Sequence, residues 1–311
     1  MSSPVLAITG GTGFLGSHVL EQALGQGLRP QALTRRMGGA HFGSGVPQPL
    51  WIEGTLADPA ALAMLAEGAD AVLHIAGAVN VPTREAFAAA NIAGTQAVVE
   101  AARAAGVRRF IHVSSLAARE PGLSAYGWSK AGAEEVVRQS GLDWTIVRPP
   151  AIYGPRDRDM FEMFRAAKLG VLPVPPAGAA SVIHAADLAR LLLAAAHGGG
   201  PDWSERLFEP DDGRPGGWAH PDLARAIGSA MGRRVWAPGL PAPVLRGAAR
   251  LDRLARGDKA KLTPDRASYM LHPDWVSSPA LAVPEHLWTP AIPTLEGLAQ
   301  TAAWYQANGW V

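Results

Sequence analysis

Tyr126 and Lys130 stand four residues apart in the string Ala-Tyr-Gly-Trp-Ser-Lys (125–130), and Ser115 closes a His-Val-Ser-Ser run upstream of them. On a helix that spacing is one turn, so the phenol and the ammonium can face one cleft. A phenol of ordinary pKa near 10 exchanges a proton at neutral pH only when its anion is stabilised, which a nearby ammonium would do. A hydroxyl that holds the reacting oxygen completes a set suited to proton transfer at an alcohol or a carbonyl. Ser115, just after a buried strand, and its neighbour Ser114 are both candidates for that hydroxyl. Asn91 lies inside a helical stretch, where an asparagine ordinarily bonds a backbone group.

Such chemistry needs a partner for the hydride, and the chain opens with a motif for one. Thr-Gly-Gly-Thr-Gly-Phe-Leu-Gly (9–16) follows a strand-like run and begins a helical pattern. Gly10, Gly13 and Gly16 permit a sharp turn, close approach of the backbone to a pyrophosphate, and tight packing of helix on strand. The helix start, at Phe14 and Leu15, then offers free N–H groups and partial positive charge to phosphates. The next strand ends in Ala-Leu-Thr-Arg-Arg (32–36), with no carboxylate for a ribose 2′-hydroxyl. Arg35 and Arg36 would attract a 2′-phosphate, which favours NADP(H) and leaves NAD(H) open.

These residues must be carried by alternating strands and helices. Short apolar runs at 5–9, 29–34, 48–52, 71–75, 109–113 and 144–147 read as buried strands. Ala-rich helical stretches at 16–25, 60–67, 87–105 and 129–139 lie between them. The alternation predicts an α/β, Rossmann-type, doubly wound parallel sheet with ligands over the carboxyl ends of its strands. Past Pro149 the pattern loosens into Pro/Gly clusters and short helices. We expect a nucleotide-binding domain over 1–170, with 181–209 returning to it, and a smaller substrate lobe over most of 171–311.

Bulk properties exclude several classes. The 311 residues carry a formal charge of +1, against a nucleic-acid partner, and no cysteine, against thiolate chemistry and disulfides. The histidines show no ligand spacing, so no metal is expected, and His74 and His112 read as packing residues at strand ends. No apolar run reaches the roughly 18–20 residues of a membrane span. The expectation is a cytoplasmic protein of unknown oligomeric state.

The motifs occur together in the order of a known family: the glycine turn, His-Ile-Ala-Gly (74–77), Asn-Ile-Ala-Gly-Thr (91–95), His-Val-Ser-Ser (112–115), Tyr126-x-x-x-Lys130 and Arg-Pro-Pro-x-x-Tyr-Gly-Pro (148–155). Over about residues 4–190 the chain resembles an extended or atypical short-chain dehydrogenase/reductase of the NAD(P)-dependent epimerase/dehydratase group. The resemblance implies Ser115, Tyr126 and Lys130 as the catalytic set and Asn91 as its support. It implies Leu56 and Asp58 near adenine, although Thr55 stands where an aspartate is usual. It further implies Ala76 and Gly77 in close approach to the cofactor, with Pro149 and Ile152 lining the nicotinamide.

Members acting on nucleotide sugars carry polar and basic groups where this chain has an apolar stretch, 172–184. That departure favours reduction of a ketone on a hydrophobic substrate over sugar-nucleotide epimerase or dehydratase chemistry. The chain is similar to the branch holding the accessory subunit of respiratory complex I and bacterial ceramide-pathway reductases, so an oxidised ceramide is one candidate. A non-catalytic NADP-binding subunit or sensor is the rival of another class. Apolar and arginine residues alternate at helical spacing over 243–256, reading as a lid, a membrane contact or a plain packed helix.

Overall fold

The computed structural model describes residues 3–36, 47–257, 260 and 262–311. In chain order its first half comprises β1 (Val5–Thr9), α1 (Phe14–Gly25), β2 (Arg29–Thr34), β3 (Leu50–Glu53), α2 (Pro59–Ala66) and β4 (Ala71–His74). There follow α3 (Arg84–Phe87), a π-helical segment at Ala88–Ala93, α4 (Gly94–Ala104) and β5 (Arg109–Val113). A 3₁₀ turn at Leu116–Arg119 leads to α5 (Ala125–Arg138) and β6 (Asp143–Val147).

Among the described residues seven strands form one parallel sheet in the order β10-β6-β5-β4-β1-β2-β3, where β10 is Arg206–Phe208. All five residues of β5 and all four of β4 are buried, as expected of strands covered on both faces. One face packs α1 and α7 (Ala185–His197) through Leu15, Val19, Leu188 and Leu192; the other packs α2, α4 and α5 through Leu62, Val98 and Val137. The strand order reverses beside β1, which lies between β2 and β4. This opens the crevice in which such sheets hold ligands.

The intervening and following elements are β7 (Ala151–Tyr153), α6 (Phe161–Lys168), β8 (Ala179–Ala180), β9 (Val182–His184), β11 (Trp218–Ala219), α8 (His220–Ala230), α9 (Ala242–Arg256), α10 (Pro264–Met270), β12 (Asp274–Trp275) and α11 (Thr294–Ala307). A separate core of Tyr153, Phe164, Leu172, Trp218, Leu298 and Tyr305 gathers α6, α8 and α11. A small group, Leu245, Ala249 and Ala267, joins α9 to α10.

The helical stretch expected over 87–105 differs in detail. It begins at Arg84 behind Thr83, whose hydroxyl caps it, and passes through one π turn that contains Asn91. Such bulges concentrate at functional sites.

Candidate active site

Parallel pairing brings the ends of β1, β4, β5 and β6 to one edge, so Gly10, Ala76, Ser115 and Pro149 leave the sheet side by side. At Gly10 the backbone takes φ +76°, and an added Cβ would lie 2.7 Å from the Ala76 nitrogen. At Gly16 a Cβ would come within 2.0 Å of the Gly10 carbonyl oxygen. The Gly13 amide donates to that same oxygen at 3.0 Å, closing the turn. No side chain caps α1 and no acid lies in its first turn. Phe14 is half-buried and Leu15 buried there. This turn fits a dinucleotide pyrophosphate: its N–H groups are free of caps, and Cβ atoms would close the approach.

At the end of β2, Arg35 and Arg36 are exposed and form no ion pair among the described residues. Leu56 packs against Gly94. Asp58, one of the adenine candidates, instead directs Oδ1 to the Ala60 and Ala61 amides at 3.1 Å and caps α2.

Ser114 and Ser115 have different partners. Ser114 is buried and donates to Glu134 Oε1 at 2.5 Å. Ser115 Oγ accepts from the Ala117 amide at 3.2 Å, capping the 3₁₀ turn, and it lowers the pKa of the Tyr126 phenol. Lys130 is 4% exposed and its Nζ donates to the Val113 carbonyl at 2.8 Å. A Cβ on Gly77 would lie 3.2 Å from Asn91 Oδ1 and 3.6 Å from Lys130 Nζ, so these three residues meet at one point. Asn91 accepts from the Ala78 amide at 2.7 Å and donates to the Ala78 carbonyl and to Ser129 Oγ. Its side chain therefore clamps the 76–78 loop. Pro149 is buried and accepts from the Leu116 amide; Ile152, half-buried, packs on the sheet core.

The electrostatics differ from the expected pattern in one respect. Burial pushes the Tyr126 phenol up; the Ser115 hydrogen bond pulls it down, and Asp159 pushes it up again. Lys130 is not among the groups acting on it, and burial lowers that lysine to about 8, with Glu134 holding it up. In the chain alone, burial favours the neutral form of the Tyr126 phenol.

Beneath this set lie groups that spacing did not reveal. Thr9 Oγ1 accepts from the Ala76 amide at 3.2 Å and lies 2.7 Å from His74 Nδ1. His74 Nε2 lies 3.0 Å from Thr95 Oγ1, which donates to the Asn91 carbonyl. This order of donors assigns a neutral His74 with its proton on Nε2. Burial, then Lys130, lowers its pKa to about 3. His74 thus does more than pack: it ties the cofactor turn to Asn91. His112, stacked on it at 5.4 Å, has no hydrogen-bond partner on either nitrogen and fits the packing reading.

A second network holds α5. Arg148 clamps Glu134 through Nε and Nη2, both at 2.7 Å, and reaches Glu209 at 3.4 Å. Glu209 in turn accepts from the Ser278 amide and lies 3.7 Å from Arg119. Three more contacts gather around Tyr126 and its helix, two of them from the lobe. Phe87 packs on its ring at 6.0 Å, and Tyr269 of α10 is close enough to feel its charge. Asp265 accepts from the Ala125 amide at the head of α5. The segment 264–275 thus reaches the first turn of α5, which carries the phenol. No motif marks Tyr269, although tyrosine is scarce in the chain, with four in all.

A nucleotide-binding glycine turn with a Ser/Tyr/Lys set at the carboxyl edge of a doubly wound sheet defines an NAD(P)-dependent oxidoreductase of the short-chain dehydrogenase/reductase type. The comparisons with known proteins bear this out: residues 10–198 match the family described as NAD(P)H-binding, and the chain belongs to it. It is 38% identical to a ceramide reductase of Caulobacter vibrioides, over 99% of this chain and 96% of that protein. It is 26% identical to a dTDP-glucose 4,6-dehydratase of Actinoplanes, over 97% and 98% of the two chains. The structure of WbmH of Bordetella bronchiseptica in complex with NAD+ has the same fold, with a TM-score of 0.74 at 21% identity over 99% and 100% of the chains. Among the described residues no helix is long and apolar enough to cross a membrane.

Proposed function

We propose that the protein is an NADP(H)-dependent reductase of a ketone on a hydrophobic, lipid-like substrate, with an oxidised ceramide or similar 3-oxo lipid as the candidate. The observation that carries the reading is the meeting of Gly77, Asn91 and buried Lys130 at one point, one helical turn from Tyr126 and at the sheet edge that bears the glycine turn. A reduced nicotinamide, when bound, supplies the hydride to the ketone carbon. Tyr126 Oη gives its proton to the ketone oxygen, which Ser115 Oγ orients. A phenol held neutral by burial is the form that ketone reduction consumes, so its raised pKa favours the reductive direction. Lys130, one turn along the helix, holds the ribose side of the cofactor and steadies the phenolate left after transfer. Asn91 keeps the 76–78 loop in place for close approach at Ala76 and Gly77.

Gly10, Gly13, Phe14, Leu15 and Gly16 receive the pyrophosphate; Leu56 borders the adenine; Pro149 and Ile152 border the nicotinamide. Arg35 and Arg36, without carboxylate partners among the described residues, favour the 2′-phosphate of NADP(H). Residues 1–170 with 181–209 form the cofactor half, and most of 171–311 the substrate half. The full-length likeness to a ceramide reductase supports the lipid ketone. The stretch 172–184 has no lysine or arginine, and Leu172, Val174 and Val182 are buried in it, which disfavours a nucleotide-sugar diphosphate.

The test is NADPH oxidation followed with 3-oxo-ceramide, steroid and aromatic ketones, with NAD and nucleotide sugars as the control. Stoichiometric release of NADP+ with the lipid alcohol is expected. Tyr126→Phe should keep cofactor binding and lose about 10²–10⁴ in kcat. Equal turnover by that variant would remove Tyr126 from its role.

A further inference from the structure

α9 turns its apolar face outward. Only Leu245 and Ala249 are buried, against α10, whereas Val244, Leu251 and Leu254 leave 52%, 68% and 83% of their surface in solvent. At 100° per residue these three fall on one arc opposite Leu245, together with exposed Pro243, Ala248 and Ala255. Arg246, Arg250 and Arg253 are exposed along one flank of that arc, and Arg256 is exposed at the end of the helix. Among the described residues the first three form no ion pair, and Arg256 pairs with Asp252 on the same helix at 3.3 Å. The helix therefore holds four arginines and one aspartate in a chain whose net charge is only +1. A little earlier in the chain, Trp236 is 69% exposed next to exposed Arg233 and Arg234.

We propose that the outer face of α9 docks in the plane of an anionic phospholipid bilayer. An exposed apolar arc flanked by cations is the design of an interfacial helix: leucines enter the headgroup boundary while arginines meet lipid phosphates. The inner side of the helix decides what docking would accomplish. α9 packs on α10, which carries Tyr269 beside Tyr126 and Asp265 on the first turn of the catalytic helix. The α9–α10 pair thus stands between the bilayer and the phenol, and a ketone on a long-chain lipid can reach Tyr126 without crossing water. Docking itself is independent of the reductase reading; the delivery of a lipid ketone rests on it.

The full-length protein should co-sediment with vesicles of equal parts phosphatidylcholine and phosphatidylglycerol, and much less with phosphatidylcholine alone. Salt should weaken the binding. Leu251→Glu with Leu254→Glu, and separately Arg250→Glu with Arg253→Glu, should each lower partition about tenfold or more while NADPH binding is kept. Unchanged partition in both variants, or no sedimentation of the native chain with the mixed vesicles, overturns the proposal. So does a change of oligomeric state in light scattering with vesicle binding unaltered, which assigns the face to a second copy of the chain. Failure of the reductase reading shows differently: vesicle binding persists and no ketone is reduced.

Discussion

At Gly16 a single added methyl would sit 2.0 Å from a backbone oxygen, while in α9 Leu254 leaves 83% of its surface in solvent. These positions belong to the two regions that meet around Tyr126. The cofactor side is determined by close backbone approach and by buried polar groups that are nearly all paired: Thr9, His74, Thr95, Asn91, Ser129 in one chain and Ser114, Glu134, Arg148, Glu209 in another. The α9–α10 side rests on a few apolar contacts around Leu245, Ala249 and Ala267. The sheet side tolerates little change, whereas on the α9–α10 side change is cheap.

The contrast predicts the largest effect at Glu134. It is 3% exposed and receives Arg148 and Ser114, so Glu134→Ala leaves a buried hydroxyl without its acceptor and a part-buried guanidinium with only its longer contact to Glu209. Breaking such a pair costs about 3–5 kcal/mol. Urea unfolding should show it, and a loss below about 1 kcal/mol would mean the network is not what holds α5.

Acid should act on the same side of the molecule. An unfolded histidine takes its proton near 6.5, whereas His74 in the fold does so only at about 3. Between those values the unfolded chain binds the extra proton, so stability is present above 6.5 and is lost as pH falls. The loss from this residue is about 3 kcal/mol by pH 4. His18, lowered to about 4 by burial and then by Arg156, adds to it. Asp157, raised to about 7 by burial, works in the opposite sense, because there the native state binds the proton first. His74→Gln should flatten the fall measured by unfolding between pH 6.5 and 4. A variant with the native slope would show that the histidine is not titrating as described.

A smaller effect is expected at the cofactor's rim. Arg35→Asp with Arg36→Asp should raise the KM for NADPH about tenfold, with little change for NADH, because exposed charge contacts are each worth at most about 1 kcal/mol. Equal effects on both cofactors would mean that the arginines do not meet a 2′-phosphate.

How much of this was legible in the sequence follows from the range of the interactions. Strands at Val5–Thr9, Arg29–Thr34 and Arg109–Val113 were readable to the residue, because a buried parallel strand is a short apolar run bounded by turn residues. Tyr126 and Lys130 were readable because their relation is one helical turn. The π turn was not, since it depends on Asn91 reaching Ala78 across a loop. Tyr269 and Glu209 come to α5 from distant parts of the chain, and no local period announces them. In α9 the apolar period was visible, but periodicity gives a stripe without saying whether it faces core or water. Of Val244, Leu245, Ala248, Leu251 and Ala255, the fold buries Leu245 alone.

The smallest effect gives the sharpest test of the comparison, because one substitution can be made in a helix of each region. Gly127 lies in α5, and a Cβ there would stand 2.5 Å from the Ala117 carbonyl oxygen, a backbone atom that cannot swing away. Gly127→Ala should therefore destabilise the protein. Gly247 lies in α9, and a Cβ there meets nothing within 4 Å. Alanine at that position removes backbone freedom from the unfolded chain without strain in the fold, a gain of about 0.4–1 kcal/mol. Thermal unfolding of the two variants in lipid-free buffer should move in opposite directions. A fall in both would mean that α9 is packed as closely as α5 and that its outer face is covered in solution.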